Sequence, residues 1–312
     1  MSDETRKVDR RGFLRCMAWA GTGLIWTVRG GVLSSRALAG EPAPGEGGAG
    51  FQFVQISDSH VGYKGAANPD ALVTLQETVA KVRALSPKPR LLLHTGDLSH
   101  AQKAGAFDTV NEAVKGTGID QAYFIPGEHD VFADGGKEFL ERFGKGTIGT
   151  GWRSFDDHGV HFVGLVNVLA YKGEGLGMLG DDQLAWLAKD LQGVTSSTPV
   201  VVYAHVPLWA VYPAWGWTTG DGERALGMLK RFGSATVLNG HIHQVLQKVE
   251  GSVSCYTAAS TAFLQPAPGQ APKPGPMAVP AERLRSVLGL REVRYVPREG
   301  RLTVVDQNLA QV

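Results

Sequence analysis

The sequence predicts a layered α/β domain. Three observations carry that prediction: short apolar, β-branched runs that end in polar clusters, helix-period stretches between them, and Asp and His residues gathered just past the runs. The runs at 51–56, 90–94, 122–125, 160–166, 199–203 and 235–238 read as buried strands. Stretches at 69–85, 105–114, 136–143, 181–191 and 223–232 repeat their apolar residues at helical spacing and read as helices. Past His243 the helices stop: 244–250 and 252–257 alternate like antiparallel strands. Six prolines in 266–280 exclude regular structure and mark a surface loop or arm, and 284–312 returns to strand, with 291–296 and 301–305 expected as a final hairpin. No internal repeat is visible.

The first 39 residues differ in kind from the rest. Asp9-Arg10-Arg11-Gly12-Phe13-Leu14-Arg15 precedes an apolar stretch from Cys16 to Val28, and the segment closes on Ala37-Leu38-Ala39. This is the three-part anatomy of an export signal. The paired arginines resemble a twin-arginine (Tat) signal and the Ala-x-Ala triplet a signal-peptidase site, so the expected partners are the Tat export machinery and that peptidase. The apolar run falls short of the roughly 20 residues a bilayer span needs and Arg29 interrupts it, so no membrane anchor is expected after cleavage. The expected protein is exported, periplasmic or secreted. Residues 40–50, rich in Gly, Pro and Glu, read as a flexible linker, and a single domain is expected over 51–312.

Residues 1–39 hold seven Lys and Arg against three Asp and Glu, which leaves 24 positive and 27 negative side chains in the remainder. That near-neutral balance gives no electrostatic footprint for duplex nucleic acid. Of the two cysteines, Cys16 lies in the signal and Cys255 reads as a small buried residue, so no disulfide is available to the mature chain.

Five clusters follow strand runs, where α/β proteins collect their ligand sites. In Asp58-Ser59-His60, residues two apart on an extended chain share a side, so a carboxylate and an imidazole converge on one cation. In Gly96-Asp97 the glycine permits a tight exit and the carboxylate has two oxygens with which to bridge two cations. Gly127-Glu128-His129-Asp130, His205 and Gly240-His241-Ile242-His243 complete the set. Singly, each fits an ordinary turn or strand end. Together they supply oxygen and nitrogen donors for two adjacent cations.

This order resembles the calcineurin-like metallophosphoesterase family, whose pattern runs Asp-x-His, Gly-Asp, Gly-Asn-His-Asp or Glu, His, Gly-His-x-His. The resemblance spans 51–263 and takes in Ser154-Phe155-Asp156, Val160-His161-Phe162-Val163-Gly164-Leu165 and Gln183-Leu184-Ala185-Trp186-Leu187. It implies a four-layer α/β/β/α sandwich with a binuclear site at the C-terminal ends of strands, and a hydrolase acting on a small-molecule phosphate ester; the resemblance does not choose among cyclic-nucleotide phosphodiesterases, phosphomonoesterases and lipid-directed enzymes, and a phosphodiester such as a cyclic nucleotide is the expectation placed before a monoester. By the same resemblance Asp58, His60 and His243 hold one metal, Glu128, His205 and His241 the other, and Asp97 bridges them. A metal-bridging hydroxide would be the nucleophile, His129 would protonate the leaving oxygen or stabilise the phosphoryl transition state, and Asp130 would orient and charge-stabilise the His129 imidazole.

Glu128 departs from the pattern, which has asparagine there. Two divalent ions with Asp58, Asp97 and a hydroxide sum to +1, and the Glu128 carboxylate brings that to zero. A ferric ion would restore the +1, so iron paired with manganese, zinc or a second iron is one expectation; a hard oxygen donor with no change of metal is the other. A non-catalytic metal- or phosphate-binding protein of the same fold is the alternative to an enzyme.

His100, three residues past Asp97, is an extra candidate, and it stands where purple acid phosphatases place an iron-binding tyrosine, which sets that branch aside. His94, His158 and His161 read as structural or solvated. Lys64 and Arg224 are the cations expected within reach of a phosphate. Trp209, Tyr212, Trp215 and Trp217 follow His205 and form either a pocket wall or a loop packed on its own core.

Overall fold

A computed structural model describes residues 24–29, 32–37, 50–102, 105–169, 177–297 and 301–311. The chain divides into two units, Met1–Gly47 and Gly48–Val312. In the first, β1 (Leu24–Arg29) and β2 (Val32–Ala37) pair as an antiparallel hairpin. The arginine pair and most of the expected signal and linker lie outside the described residues. Among the described residues no helix is long and apolar enough to cross a membrane.

The second unit runs β3 (Phe51–Ile56), α1 (Ala71–Arg83), β4 (Leu91–His94), α2 (Ala106–Lys115), β5 (Gln121–Phe124), α3 (Lys137–Phe143), β6 (Arg153–Asp157) and β7 (Val160–Gly164). It continues α4 (Asp181–Gln192), β8 (Val200–Ala204), α5 (Gly222–Leu229), β9 (Ala235–Asn239), β10 (Leu246–Glu250), β11 (Val253–Thr257), α6 (Leu284–Val287), β12 (Gly289–Val296) and β13 (Arg301–Asn308). Five strands form one sheet in the order β13-β12-β3-β4-β5, and six form another in the order β10-β11-β9-β8-β7-β6.

The alternation of side chains along each strand builds the layers. Phe51 and Phe53 of β3 and Leu91 and Leu93 of β4 pack against Phe162, Val201, Tyr203 and Leu238 of the other sheet. Their neighbours Val54, Ile56 and Leu92 face the other way and meet Leu75 and Val79 of α1, Val110 of α2 and Phe139 of α3. Val200, Val202 and Val237 likewise turn outward onto Leu184 and Leu187 of α4 and Leu226 and Leu229 of α5. Strands apolar on both faces therefore make a four-layer α/β/β/α sandwich.

Two features were not readable in advance. β6 is a half-exposed edge strand, so no apolar run marks it. The C-terminal hairpin does not stand apart: β12 pairs antiparallel with β3 and carries Arg291 into the layer between the sheets, fully buried. Its guanidinium bonds Asp306, the Gln55 side chain and the Thr257 carbonyl, and Gln55 in turn donates to Thr95 and to the Asn239 carbonyl. One buried cation thus ties both sheets together beneath the ends of β4 and β9.

Candidate metal centre

The candidate ligands all leave the C-terminal ends of strands: Asp58 and His60 after β3, Asp97 after β4, Glu128 after β5, His205 after β8, and His241 and His243 after β9. They converge, though not by the pleat of an extended chain. Asp58, His60, Asp97, His241 and His243 all have φ between 40° and 70°. This left-handed conformation is uncommon for residues with a side chain and marks strained functional backbone. In both Asp-x-His and His-x-His, left-handed kinks two residues apart aim the donors inward.

Backbone contacts hold those kinks. The loops after β3 and β4 continue to pair beyond their strands, through Asp58 N to Gly96 O, His60 N to Asp97 O and Val61 N to Leu98 O at 2.9–3.0 Å. Gly96, itself at φ 96°, lies against the His205 ring, and Gly127 against the Asp97 carboxylate; a Cβ on either would collide with that partner. The Asp58 carboxylate accepts the His241 N–H at 3.0 Å, joining the first and last clusters directly.

Two donor groups result. In one, His60 Nε2 lies 3.2 Å from His243 Nε2, and His243 Nε2 lies 3.3 Å from Asp58 Oδ1. In the other, Glu128 places its oxygens 2.9 Å from His205 Nε2 and 3.0 Å from His241 Nδ1. Asp97 Oδ2 stands between them, 3.5 Å from His60 Nε2 and 3.5 Å from His205 Nε2. Donors held about 2.0–2.2 Å from one ion are themselves roughly 2.9–3.5 Å apart, which is the spacing seen. His205 Nε2 is buried and makes no hydrogen bond despite the carboxylates beside it, as a lone pair directed at a cation would. The residues therefore fit two metal ions.

Outer contacts set the imidazoles. His205 Nδ1 is 2.7 Å from the Thr95 carbonyl and His243 Nδ1 is 2.7 Å from the Phe263 carbonyl, so in each ring Nδ1 carries the proton and Nε2 presents its lone pair. Burial, reinforced by His243, His129 and His100, holds His60 well below the usual imidazole range and keeps it neutral, as a ligand must be. Burial opposes ionisation of Glu128, but His241 and His205 outweigh it and hold the carboxyl well below its ordinary range.

His129 and Asp130 separate. His129 donates its backbone N–H to Asp97 Oδ1 at 3.0 Å, and its ring lies edge-on to His60 with centroids 4.9 Å apart and next to Phe132, which is 65% exposed. The expected Asp130–imidazole pairing is replaced by another. The Asp130 carboxylate accepts the N–H groups of Leu98, Ser99 and Gly127 at 2.9–3.0 Å and the Ser99 hydroxyl at 3.1 Å. The His129 Nδ1 atom is buried without a hydrogen-bond partner. Asp130 thereby fastens the residue after Asp97 to the residue before Glu128. Burial, and then the Asp97 charge, push its carboxyl up to about 7 against the pull of the three N–H groups.

Lys64 pairs with Asp70 at 2.8 Å and Arg224 with Asp181 at 2.7 Å, so neither expected cation is turned to the centre. Trp209 and Trp217 are buried and Trp209 joins the core beneath α4 and α5, which favours the loop packed on itself. His94 is buried under the centre and bonds Ser59 Oγ at 2.7 Å. Thr95 and Phe263 act here through backbone carbonyls, which no side-chain pattern announces.

The calcineurin-like phosphoesterase family model matches residues 51–245, which contain every candidate ligand. The chain belongs to this family. It is a metal-dependent phosphoric ester hydrolase of the binuclear type. The phosphoesterase is 27% identical to a probable glycerophosphodiester phosphodiesterase of Arcobacter nitrofigilis, over 66% of this chain and 77% of that one. It is 30% identical to a probable cyclic nucleotide phosphodiesterase of a Synechococcus species, over 62% and 74%. The fold matches a dimetal phosphatase from Danio rerio with a TM-score of 0.60 at 14% identity, covering 82% of this chain and 98% of that one.

Proposed function

We propose that this phosphoesterase cleaves a phosphodiester in preference to a monoester, at a metal pair that includes iron, after export. The observation that carries the reading is the Glu128 carboxylate lying between His205 and His241. It makes the second donor set two histidines and a carboxylate, a combination that suits iron as well as zinc. With Asp58 and Asp97 it gives the centre three negative side chains. Two divalent ions and a hydroxide leave such a centre neutral, and a ferric ion leaves it at +1. A diester brings one negative charge and a monoester up to two. A centre this close to neutrality, with Lys64 and Arg224 paired elsewhere, suits the less charged ester. Two of the similar proteins bear phosphodiesterase names, which agrees.

Asp58, His60 and His243 would hold one ion and Glu128, His205 and His241 the other, with Asp97 shared, and such ions would supply Lewis acidity and acidify the attacking water, the nucleophile of this reading. The protein's own groups do the rest. Asp97 spans the two donor sets, the histidine carbonyl partners keep lone pairs directed inward, and His129 at the mouth passes a proton to the leaving oxygen. Export rests on Arg10-Arg11 and the Ala37-Leu38-Ala39 triplet, with the Tat machinery and signal peptidase as partners and a periplasmic or secreted product.

The test is metal analysis of the exported protein with hydrolysis of bis-aryl and mono-aryl phosphates, wild type against Glu128→Asn. Iron in the wild type, faster diester cleavage, and a shift toward the monoester in the variant support the reading. Zinc or manganese alone under iron-replete expression counts against iron, and monoester preference counts against the substrate. Amino-terminal sequencing of the exported chain checks the cleavage site.

A further inference from the structure

Three ligand imidazoles, His60, His205 and His243, turn Nε2 toward the metal centre, and two of them anchor Nδ1 on backbone carbonyls. His60 differs. Its Nδ1 meets the Nδ1 of another imidazole, His100, at 3.3 Å. Two ring nitrogens at that distance share one proton, so one donates and the other accepts. For His60 to keep a lone pair on Nε2 toward the metal, its Nδ1 must carry the hydrogen, and His100 Nδ1 must accept it.

The surroundings hold His100 in that place. Its backbone N–H bonds the Val61 carbonyl at 2.9 Å, part of the pairing between the loops after β3 and β4. Its ring stacks on His129 with centroids 5.0 Å apart and an interplanar angle of 19°, and meets Tyr63 edge-on at 5.1 Å. Phe263 stacks on the His60 ring, with centroids 4.7 Å apart. The His60 side chain is therefore clamped by one polar partner at Nδ1 and by the rings of His129, His243 and Phe263, and the polar partner fixes its tautomer.

We propose that His100 is the positioning residue of the Asp58, His60 and His243 site: it accepts the His60 Nδ1 proton and so directs the His60 lone pair to the metal. The inference builds on the two-metal centre described above. It assigns to one side chain a selective effect on one of the two ions, because the imidazole that His100 meets nitrogen to nitrogen is His60, a ligand of that site alone. Removing an outer partner of a ligating histidine typically weakens metal affinity by about 10–100-fold.

The experiment is Co2+ binding to chelator-stripped protein, followed by calorimetric titration and by the ions retained on dialysis. His100→Phe keeps an aromatic ring for the stack and removes the acceptor; His100→Asn restores an acceptor oxygen. The expected result is an affinity loss of about 10-fold or more for one of two ions in His100→Phe, with the other unchanged and with recovery in His100→Asn. In a His60→Ala background, which already lacks the ligand, His100→Phe should cost nothing further. Equal weakening at both sites, no weakening, or full additivity with His60→Ala overturns the proposal. A wild type that binds two ions and hydrolyses no diester overturns the substrate reading and leaves this one standing; a wild type that binds none overturns both.

Discussion

Replacing Asp130 with alanine should destabilise the fold before it touches the chemistry. The carboxylate accepts four hydrogen bonds, three from backbone N–H groups of Leu98, Ser99 and Gly127 and one from the Ser99 hydroxyl, and Asp130 is fully buried. A buried donor stripped of its partner costs about 1–3 kcal/mol. Three such N–H groups give about 3–6 kcal/mol once some water enters the space, a large share of the roughly 5–15 kcal/mol by which a domain is stable. Asparagine keeps one acceptor oxygen and turns an N–H2 group toward the other donors, so Asp130→Asn should lose about half as much. Urea unfolding of metal-stripped protein measures both, with an unchanged m-value showing that the difference lies in stability. Because Leu98 follows Asp97 and Gly127 precedes Glu128, folded variant should also hold metal more weakly. Alanine costing under about 1 kcal/mol, with turnover lost nonetheless, would refute this account and return Asp130 to the role of orienting His129.

Four other outcomes follow from the same structure. Stripping the metals should lower the melting temperature by roughly 10–20 °C, from about 2.7 kcal/mol for each ion held at 100 times its dissociation constant and ~2–4 °C per kcal/mol; an unchanged melt after proven metal loss would count against two structural-strength sites. His161 has Nδ1 2.8 Å from Asp156 and Nε2 2.9 Å from Asp190, so only the imidazolium satisfies both. Burial opposes the charge, but the bonds to Asp190 and Asp156 outweigh it and raise the imidazole above its usual range. Its stabilisation is complete below the unfolded histidine range and lost as pH rises through the raised folded value, so the stability gap between wild type and His161→Gln should close on going from pH 6 to pH 9; a gap constant with pH would contradict it. Asp306→Ala leaves the buried Arg291 guanidinium without its carboxylate. Chemical denaturation should show a loss of about 2–4 kcal/mol, with no loss meaning that Gln55 and Thr257 suffice. Phe132→Ala removes the exposed ring beside His129 and should raise KM for a bis-aryl phosphate several-fold with little change in kcat; an equal fall in kcat would place Phe132 in the turnover step instead.

The sequence made the α/β layering legible because strands buried on both faces must be continuously apolar. Runs such as Leu91–His94 and Val200–Ala204 satisfy that condition in any context. β6 escaped because an edge strand has one wet face and carries no such run. The donor residues were legible by type and order, since cations demand carboxylates and imidazoles wherever the chain supplies them. Their conformation was not. Asp58-Ser59-His60 looks like an extended triplet, and its left-handed kinks arise from hydrogen bonds to Gly96 and Asp97, residues almost forty positions away.

The residues alone gave an inventory: layered strands and helices, two groups of candidate metal donors, a glutamate where the family pattern has asparagine, and a near-neutral balance of charged side chains. Pairing came from the fold. It sent the Asp130 carboxylate to three backbone N–H groups instead of an imidazole, turned Lys64 and Arg224 away to their own carboxylates, buried Arg291 between two sheets and set His100 against His60. The physical reason is range. Burial patterns and donor chemistry are properties of a residue and its near neighbours, whereas a hydrogen bond or ion pair depends on two groups brought within about 3 Å by the whole fold.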